Sequence, residues 1–183
     1  MDGNRGGRRG FTLVEMLVVL SILGLFFVVA LPGFEALQAS TRMHTAVQRL
    51  LVDILLTRSE AIKRNTQVIM CPSAFASGGP RHCEGIFRAG WVVFEDRDRD
   101  RKLDADEPVL SQARGLGPAL TLTNRAGTRD ADERILYYPD GTSHRNRTLM
   151  VCSTRRPDLV SRSVIMNRVG RPRVEQGWGE CPQ

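Results

Sequence analysis

Arg8-Arg9-Gly10-Phe11-Thr12-Leu13-Val14-Glu15 opens an otherwise uncharged run, FTLVEMLVVLSILGLFFVVAL, that covers residues 11–31. At about 1.5 Å rise per residue, a helix of that length reaches about 31 Å, enough to span a bilayer core. Glu15 is the single charge in the run. A carboxylate placed there costs about 2.5–3.5 kcal/mol unless something neutralises it. The ten residues ahead of the run, MDGNRGGRRG, are polar and basic. No small-x-small site follows the apolar segment, so the pattern is not that of an ordinary secretory signal. A cut between Gly10 and Phe11 would place a new amino group at the helix tip, where it could neutralise Glu15 of a neighbouring copy.

Gly10, Phe11-Thr12-Leu13-x-Glu15 and sixteen uncharged residues, ended by Pro32 and Gly33, resemble the processing site of type IV pilin-like proteins. In that family a prepilin peptidase cleaves after the glycine and methylates the new phenylalanine amine. The resemblance therefore implies Gly10 and Phe11 as the cleavage and methylation site and Glu15 as the assembly residue. Other pilins in the filament are the partners it implies. Basic residues ahead of the apolar run keep the leader cytoplasmic. That predicts a single-pass protein of the inner membrane with a periplasmic domain, later drawn into a pilus at the cell surface.

Beyond residue 33 the pattern turns amphipathic. Val47, Leu50, Leu51, Ile54, Leu55, Ala61 and Ile62 recur at helical spacing, with Arg42, Arg49, Asp53, Arg58, Glu60, Lys63 and Arg64 as charged positions among them. Downstream, short strands are predicted at 67–71, 90–95, 109–112, 119–123, 134–138, 148–152 and 163–168, separated by turn formers such as Pro139-Asp140-Gly141. The expected fold class is α+β, a long N-terminal helix packed on an antiparallel sheet. The expected divisions are a leader over 1–10, a transmembrane and assembly helix over 11–33, an amphipathic half over 34–64 and a β-sheet domain over 65–183.

Cys71-Pro72-Ser73, Gly90-Trp91-x-Val93-Phe94, Asp106-Glu107-Pro108 and Tyr138-Pro139-Asp140-Gly141 give this domain a resemblance to the FimT/GspH branch of minor pilins and pseudopilins. An extracytoplasmic domain permits disulfides, and four cysteines allow three pairings. Local order favours Cys71–Cys83 and Cys152–Cys181. Zinc at Cys83 and His82 is the rival, disfavoured because no CxxC pair is present.

The formal net charge of +6 is uneven. Residues 142–183 hold eight basic and three acidic residues, whereas 91–141 hold eight basic and eleven acidic. All basic residues except Lys63 and Lys102 are arginines, the side chain best matched to bidentate phosphate contacts. In the basic quarter, Gly170-Arg171-Pro172-Arg173 resembles the Gly-Arg-x-Arg motif of FimT-type pilins, which bind extracellular DNA during natural transformation. The resemblance implies Gly170, Arg171 and Arg173 as DNA-binding residues, with Arg168, Arg162, Arg155 and Arg156 as supporting charge. A solvated arginine-rich tail is the alternative. For Trp178, packing over the Cys181 disulfide is favoured over stacking on a base.

Asp96, Asp98, Asp100, Asp104 and Glu107 fall at positions 1, 3, 5, 9 and 12 of a twelve-residue loop, the ligand spacing of an EF-hand, with apolar Leu103 at position 8. Arg101 stands where that loop requires glycine, and Arg97, Arg99 and Arg101 interleave the acids. A self-neutralised charged hairpin is the favoured reading, with calcium as the alternative and no resident cofactor expected. Enzymatic function is not expected: His44, His82 and His144 are dispersed, and no G-x-S-x-G, H-E-x-x-H or phosphate-loop pattern occurs. The chain reads as a minor pilin that binds DNA. A type II secretion pseudopilin, or a priming subunit for pilus assembly without a ligand, is the alternative.

Overall fold

The computed structural model of the chain describes residues 12–182, and of residues 29–32 the backbone alone. Gly10 and Phe11, the expected cleavage and methylation site, lie outside the described residues. The described chain divides into two units at Gln38 and Ala39.

Helix α1 is assigned over Leu13–Arg64 and includes Pro32 and Gly33. Its start is set locally. The Thr12 Oγ1 accepts the Glu15 backbone N–H at 3.2 Å, so Thr12 is an N-cap and Glu15 the third helical residue. Thr-x-x-Glu is the sequence of a capping box, and a carboxylate in the first turn also suits the helix dipole. In the first unit, Leu13, Leu17, Leu20, Phe26, Phe27 and Val28 are each more than half exposed. An 18-residue window of this helix has mean hydropathy 2.7 and none of it is buried. Water is a poor solvent for such a surface; lipid or neighbouring helices are better ones.

The second unit holds the rest of α1 and eight strands. They are β1 (Gln67–Pro72), β2 (Gly90–Asp96), β3 (Val109–Arg114), β4 (Leu120–Thr123), β5 (Ile135–Tyr137), β6 (Arg147–Ser153), β7 (Arg162–Met166) and β8 (Pro172–Gln176). They form two four-stranded sheets rather than one, in the orders β3-β2-β1-β5 and β4-β6-β7-β8, with every pairing antiparallel. Strand β8 is the element that sequence periodicity does not predict. It opens on a proline and carries Val174 as its one apolar residue after it, a composition suited to an edge strand.

Met43, Ala46, Val47, Leu50, Ile54 and Ala61 of α1 form one buried stripe and share a core with β1–β7 residues from both sheets. The predicted stripe was broader than the real one. Leu55 and Ile62 are 44% and 49% exposed, because the core-facing arc is narrower than the apolar positions suggest. Asp53, one of the charged positions of the amphipathic pattern, is buried. Its Oδ2 accepts the Trp91 indole N–H at 2.7 Å and its Oδ1 accepts the Ser111 hydroxyl at 2.8 Å. One carboxylate thus ties α1 to β2 and β3 and satisfies two donors that burial would otherwise leave unpaired.

A second cluster lies on the other face of the first sheet. Ile69, Cys71, Val92, Phe94 and Leu136 pack there under Leu103 and Cys83. All seven residues of β2 are buried, because both faces of its sheet are covered. Disulfides join Cys71 to Cys83 and Cys152 to Cys181. Cys83 therefore offers no thiolate to zinc, and His82 instead lies 3.0 Å from Glu84.

Candidate nucleic-acid interface

The β7–β8 hairpin carries the basic motif. Residue alternation along β8 leaves Pro172 and Val174 half-buried and turns Arg173 and Glu175 outward. Arg171, two residues before Arg173, is likewise exposed. The turn ahead of it is closed by two bonds to Asn167. Gly170 N–H donates to the Asn167 carbonyl at 2.9 Å, and Arg171 N–H donates to Asn167 Oδ1 at 3.3 Å.

Gly170 belongs to that turn for a steric reason. Its φ is +81°, and a Cβ there would lie 2.0 Å from the Gly141 carbonyl oxygen. Its own carbonyl accepts the buried Tyr137 hydroxyl at 3.1 Å. The glycine of Gly-Arg-x-Arg thus anchors the turn to the Pro139-Asp140-Gly141 corner, while the arginines face solvent. Burial pushes the Tyr137 phenol up to about 12, with the Arg58 charge opposing.

Two guanidinium groups lie over the Trp178 ring, with the Arg125 carbon 4.4 Å and the Arg173 carbon 6.0 Å from its centroid, and Trp178 is 37% exposed. Arg125 comes from the β4–β5 loop, which sequence reasoning did not connect to the motif. The connection is made by the tail. Glu180 N–H donates to the Arg125 carbonyl at 3.2 Å, and the Cys152–Cys181 disulfide holds the tail on β6. Beside the ring is a cleft of about 510 Å³, lined also by Arg129, Asn146, Asn167 and Arg173.

The turn tip adjoins a second group of cations. Arg168 N–H donates to Asn146 Oδ1 at 2.8 Å, which brings the turn onto the segment carrying His144, Arg145 and Arg147. His144 is held below the usual imidazole range by burial first, then by Arg101, Arg145, Arg168 and Arg147. The four arginines that face His144 concentrate positive charge beside the turn. Some of that charge is compensated: Arg147 pairs with Glu133 at 2.8 Å, and Arg173 approaches Glu175 at 3.5 Å on an exposed surface. Among the described residues, neither Arg168 nor Arg171 has an ion-pair partner.

Not every expected arginine joins the site. Arg162 lies at the opposite end of the β7–β8 pairing, across from Gln176. Arg155 lines a separate cavity with Arg42 and Arg49, and Arg156 forms a forked pair with Asp158 at 2.9 and 2.7 Å. The histidines do not converge either: His44 is exposed on α1, His82 faces Glu84, and His144 bonds the Tyr138 hydroxyl at 3.1 Å.

Comparison with known families assigns the chain. The model described as type II transport protein GspH matches residues 46–170, more than half of the sequence. The chain belongs to the GspH family. A prokaryotic N-terminal methylation motif matches residues 5–31. This GspH-family chain is 28% identical over 175 residues to the pilin-like protein PilA1 of Thermus thermophilus, covering 92% of itself and 99% of that relative. Its fold resembles the Pseudomonas aeruginosa type IV minor pilin FimU, with TM-score 0.54 at 17% identity over 74% of this chain and 90% of the other. It also resembles the minor pseudopilin EpsH of the Vibrio cholerae type II secretion system, with TM-score 0.50 at 14% identity over 74% and 97%. The GspH-family chain is thus a pilin-like structural subunit, a minor pilin or pseudopilin, and not an enzyme. Its exposed apolar helix serves membrane anchoring and then assembly beside other pilins.

Proposed function

We propose that this minor pilin binds extracellular DNA for uptake in natural transformation, through the phosphate backbone and at the β7–β8 hairpin. One observation carries the reading: a glycine-anchored turn presents Arg171 and Arg173 on one solvent face, beside a Trp178 ring flanked by Arg125. Arg168, Arg171 and Arg173 supply the phosphate contacts, and the half-exposed indole offers a surface for a base or sugar. About three contacts predict an affinity that falls with salt at a log–log slope of about −2.7 on duplex DNA, with little sequence preference. Titration of the detergent-solubilised protein with duplexes of unrelated sequence, at two salt concentrations, tests this.

The rest of the pathway follows the pilin pattern. A prepilin peptidase cuts after Gly10 and methylates Phe11, and the new amine neutralises Glu15 of a neighbouring subunit. Before assembly the protein crosses the inner membrane once, with residues beyond Pro32 on the periplasmic side. Glu15 also has a local role, because Thr12 bonds its N–H. Replacement by Gln keeps that main-chain bond and removes the charge, so it separates capping from subunit pairing. The match to the type II transport family favours a second reading, a pseudopilin with protein partners. Absence of DNA binding in the titration excludes the first reading.

A further inference from the structure

The acidic loop between β2 and β3 is not used by the hairpin site, and its geometry differs from a charged hairpin that neutralises itself. The Asp96 side chain is fully buried, at 0% exposure. Its Oδ1 accepts the Arg101 N–H at 3.3 Å, while its Oδ2 is shielded from solvent with no hydrogen-bond partner. A carboxylate oxygen in that condition is costly unless a cation meets it.

Its neighbours are oxygens. Single carboxylate oxygens of Asp96, Asp98 and Glu107 lie within 4.8 Å of one another, and those of Asp98, Asp100 and Asp104 do the same. Asp98 belongs to both groups and links them. Glu107 is buried and oriented by two amides, from Arg97 at 2.8 Å and Asp104 at 3.1 Å.

The features that argue against a cation in the sequence are resolved in the fold. Arg101 occupies the position reserved for glycine and adopts φ +66°, with Arg99 at +65°, so the backbone makes the turn without glycine. Arg97 turns to Glu95 at 3.2 Å, and Arg99 and Arg101 are exposed. Among the described residues, the Lys102 ammonium is the side-chain cation within salt-bridge distance of the group, at 2.8 Å from Asp100 Oδ2. Leu103 at position 8 packs on the outer face of the first sheet, and Arg81 donates to the Ala105 and Glu107 carbonyls, which secures the loop from the side of the Cys71–Cys83 disulfide.

We propose that the β2–β3 loop is a calcium site, with Asp96, Asp98, Asp100, Asp104 and Glu107 as its oxygen ligands. Carboxylate ligands at loop positions 1, 3, 5, 9 and 12 suit a hard cation of high coordination number. Calcium fixes the loop over the outer sheet face and removes the uncompensated charge of Asp96.

The test uses the full chain in detergent micelles, stripped with a chelator, with thermal unfolding followed by tryptophan fluorescence. Sites of this class outside the cell bind at about 0.1–1 mM, so about 10 mM calcium chloride is expected to raise the midpoint by at least about 3 °C. Magnesium chloride at the same concentration controls for ionic strength and is expected to raise it less. The variant Asp98→Asn/Asp100→Asn changes two exposed side chains and is expected to fold and to lose the calcium response. Three results would overturn the proposal: no calcium-dependent rise in the wild type, an equal rise with magnesium, or an undiminished rise in the double variant.

Discussion

The hydroxyl of Tyr137 on β5 donates to the carbonyl of Gly170 at 3.1 Å, a buried bond between the first sheet and the turn that precedes Arg171. The basic hairpin is therefore fastened to the core through an uncharged phenol, and its presentation depends on that phenol staying protonated. An ordinary tyrosine titrates near 10, and this one is raised to about 12. For a group raised in the folded state, the stabilisation is complete below the unfolded value and is lost as pH climbs through the folded one. Between pH 10 and 12, unfolding by urea is expected to show a loss of about 2 kcal/mol that Tyr137→Phe does not show. Equal pH slopes for the two proteins would show that ionisation of this buried phenol does not limit stability.

Gly170→Ala forces a Cβ against the Gly141 carbonyl in a left-handed backbone conformation. We expect a loss of about 2 kcal/mol, and a weaker DNA affinity although both arginines remain. Urea denaturation and DNA titration of the same sample measure both effects. A variant as stable as the wild type would show that the two turns do not need to meet.

Asp53→Ala leaves the Trp91 indole N–H and the Ser111 hydroxyl without their acceptor inside the core. The expected cost is about 2–4 kcal/mol by urea denaturation. Asp53→Asn keeps one acceptor oxygen and is expected to fall between the wild type and the alanine variant. An alanine variant that loses stability beside an Asp53→Asn variant as stable as the wild type would show that packing, not the bonds, sets the effect.

These features were unequally legible in the sequence. The apolar run around Glu15, seven of the eight strands and the two disulfide pairs follow from periodicity, turn formers and cysteine order. Strand β8 was hidden because its ladder partners are supplied by β7, while its own side chains alternate proline, valine and charge. The burial of Asp53 was not legible, because a carboxylate on a helix carries no sign of burial until its two donors are known, and they lie 38 and 58 residues downstream. Arg125 joined the motif only through the tail disulfide, a contact with no local signal. Spacing did mark the acidic loop, but its arginines concealed the buried, unpartnered oxygen of Asp96.

The Cys152–Cys181 disulfide spans 29 residues and holds Trp178 beside Arg125. Replacing both cysteines by Ala is expected to cost about 3–4 kcal/mol. It should also weaken DNA binding by releasing the ring, with a salt slope near the wild-type value because the arginines persist. Denaturation and titration of the double variant check the two parts separately. Unchanged affinity would remove Trp178 from the interface.

The most direct test of the account is the salt dependence of duplex binding by Arg171→Gln/Arg173→Gln beside the wild type, measured by fluorescence anisotropy. Loss of two of about three phosphate contacts is expected to weaken binding at every salt concentration and to flatten the log–log slope from about −2.7 to about −0.9. Equal affinity and an equal slope in the double variant would contradict DNA recognition by the β7–β8 hairpin.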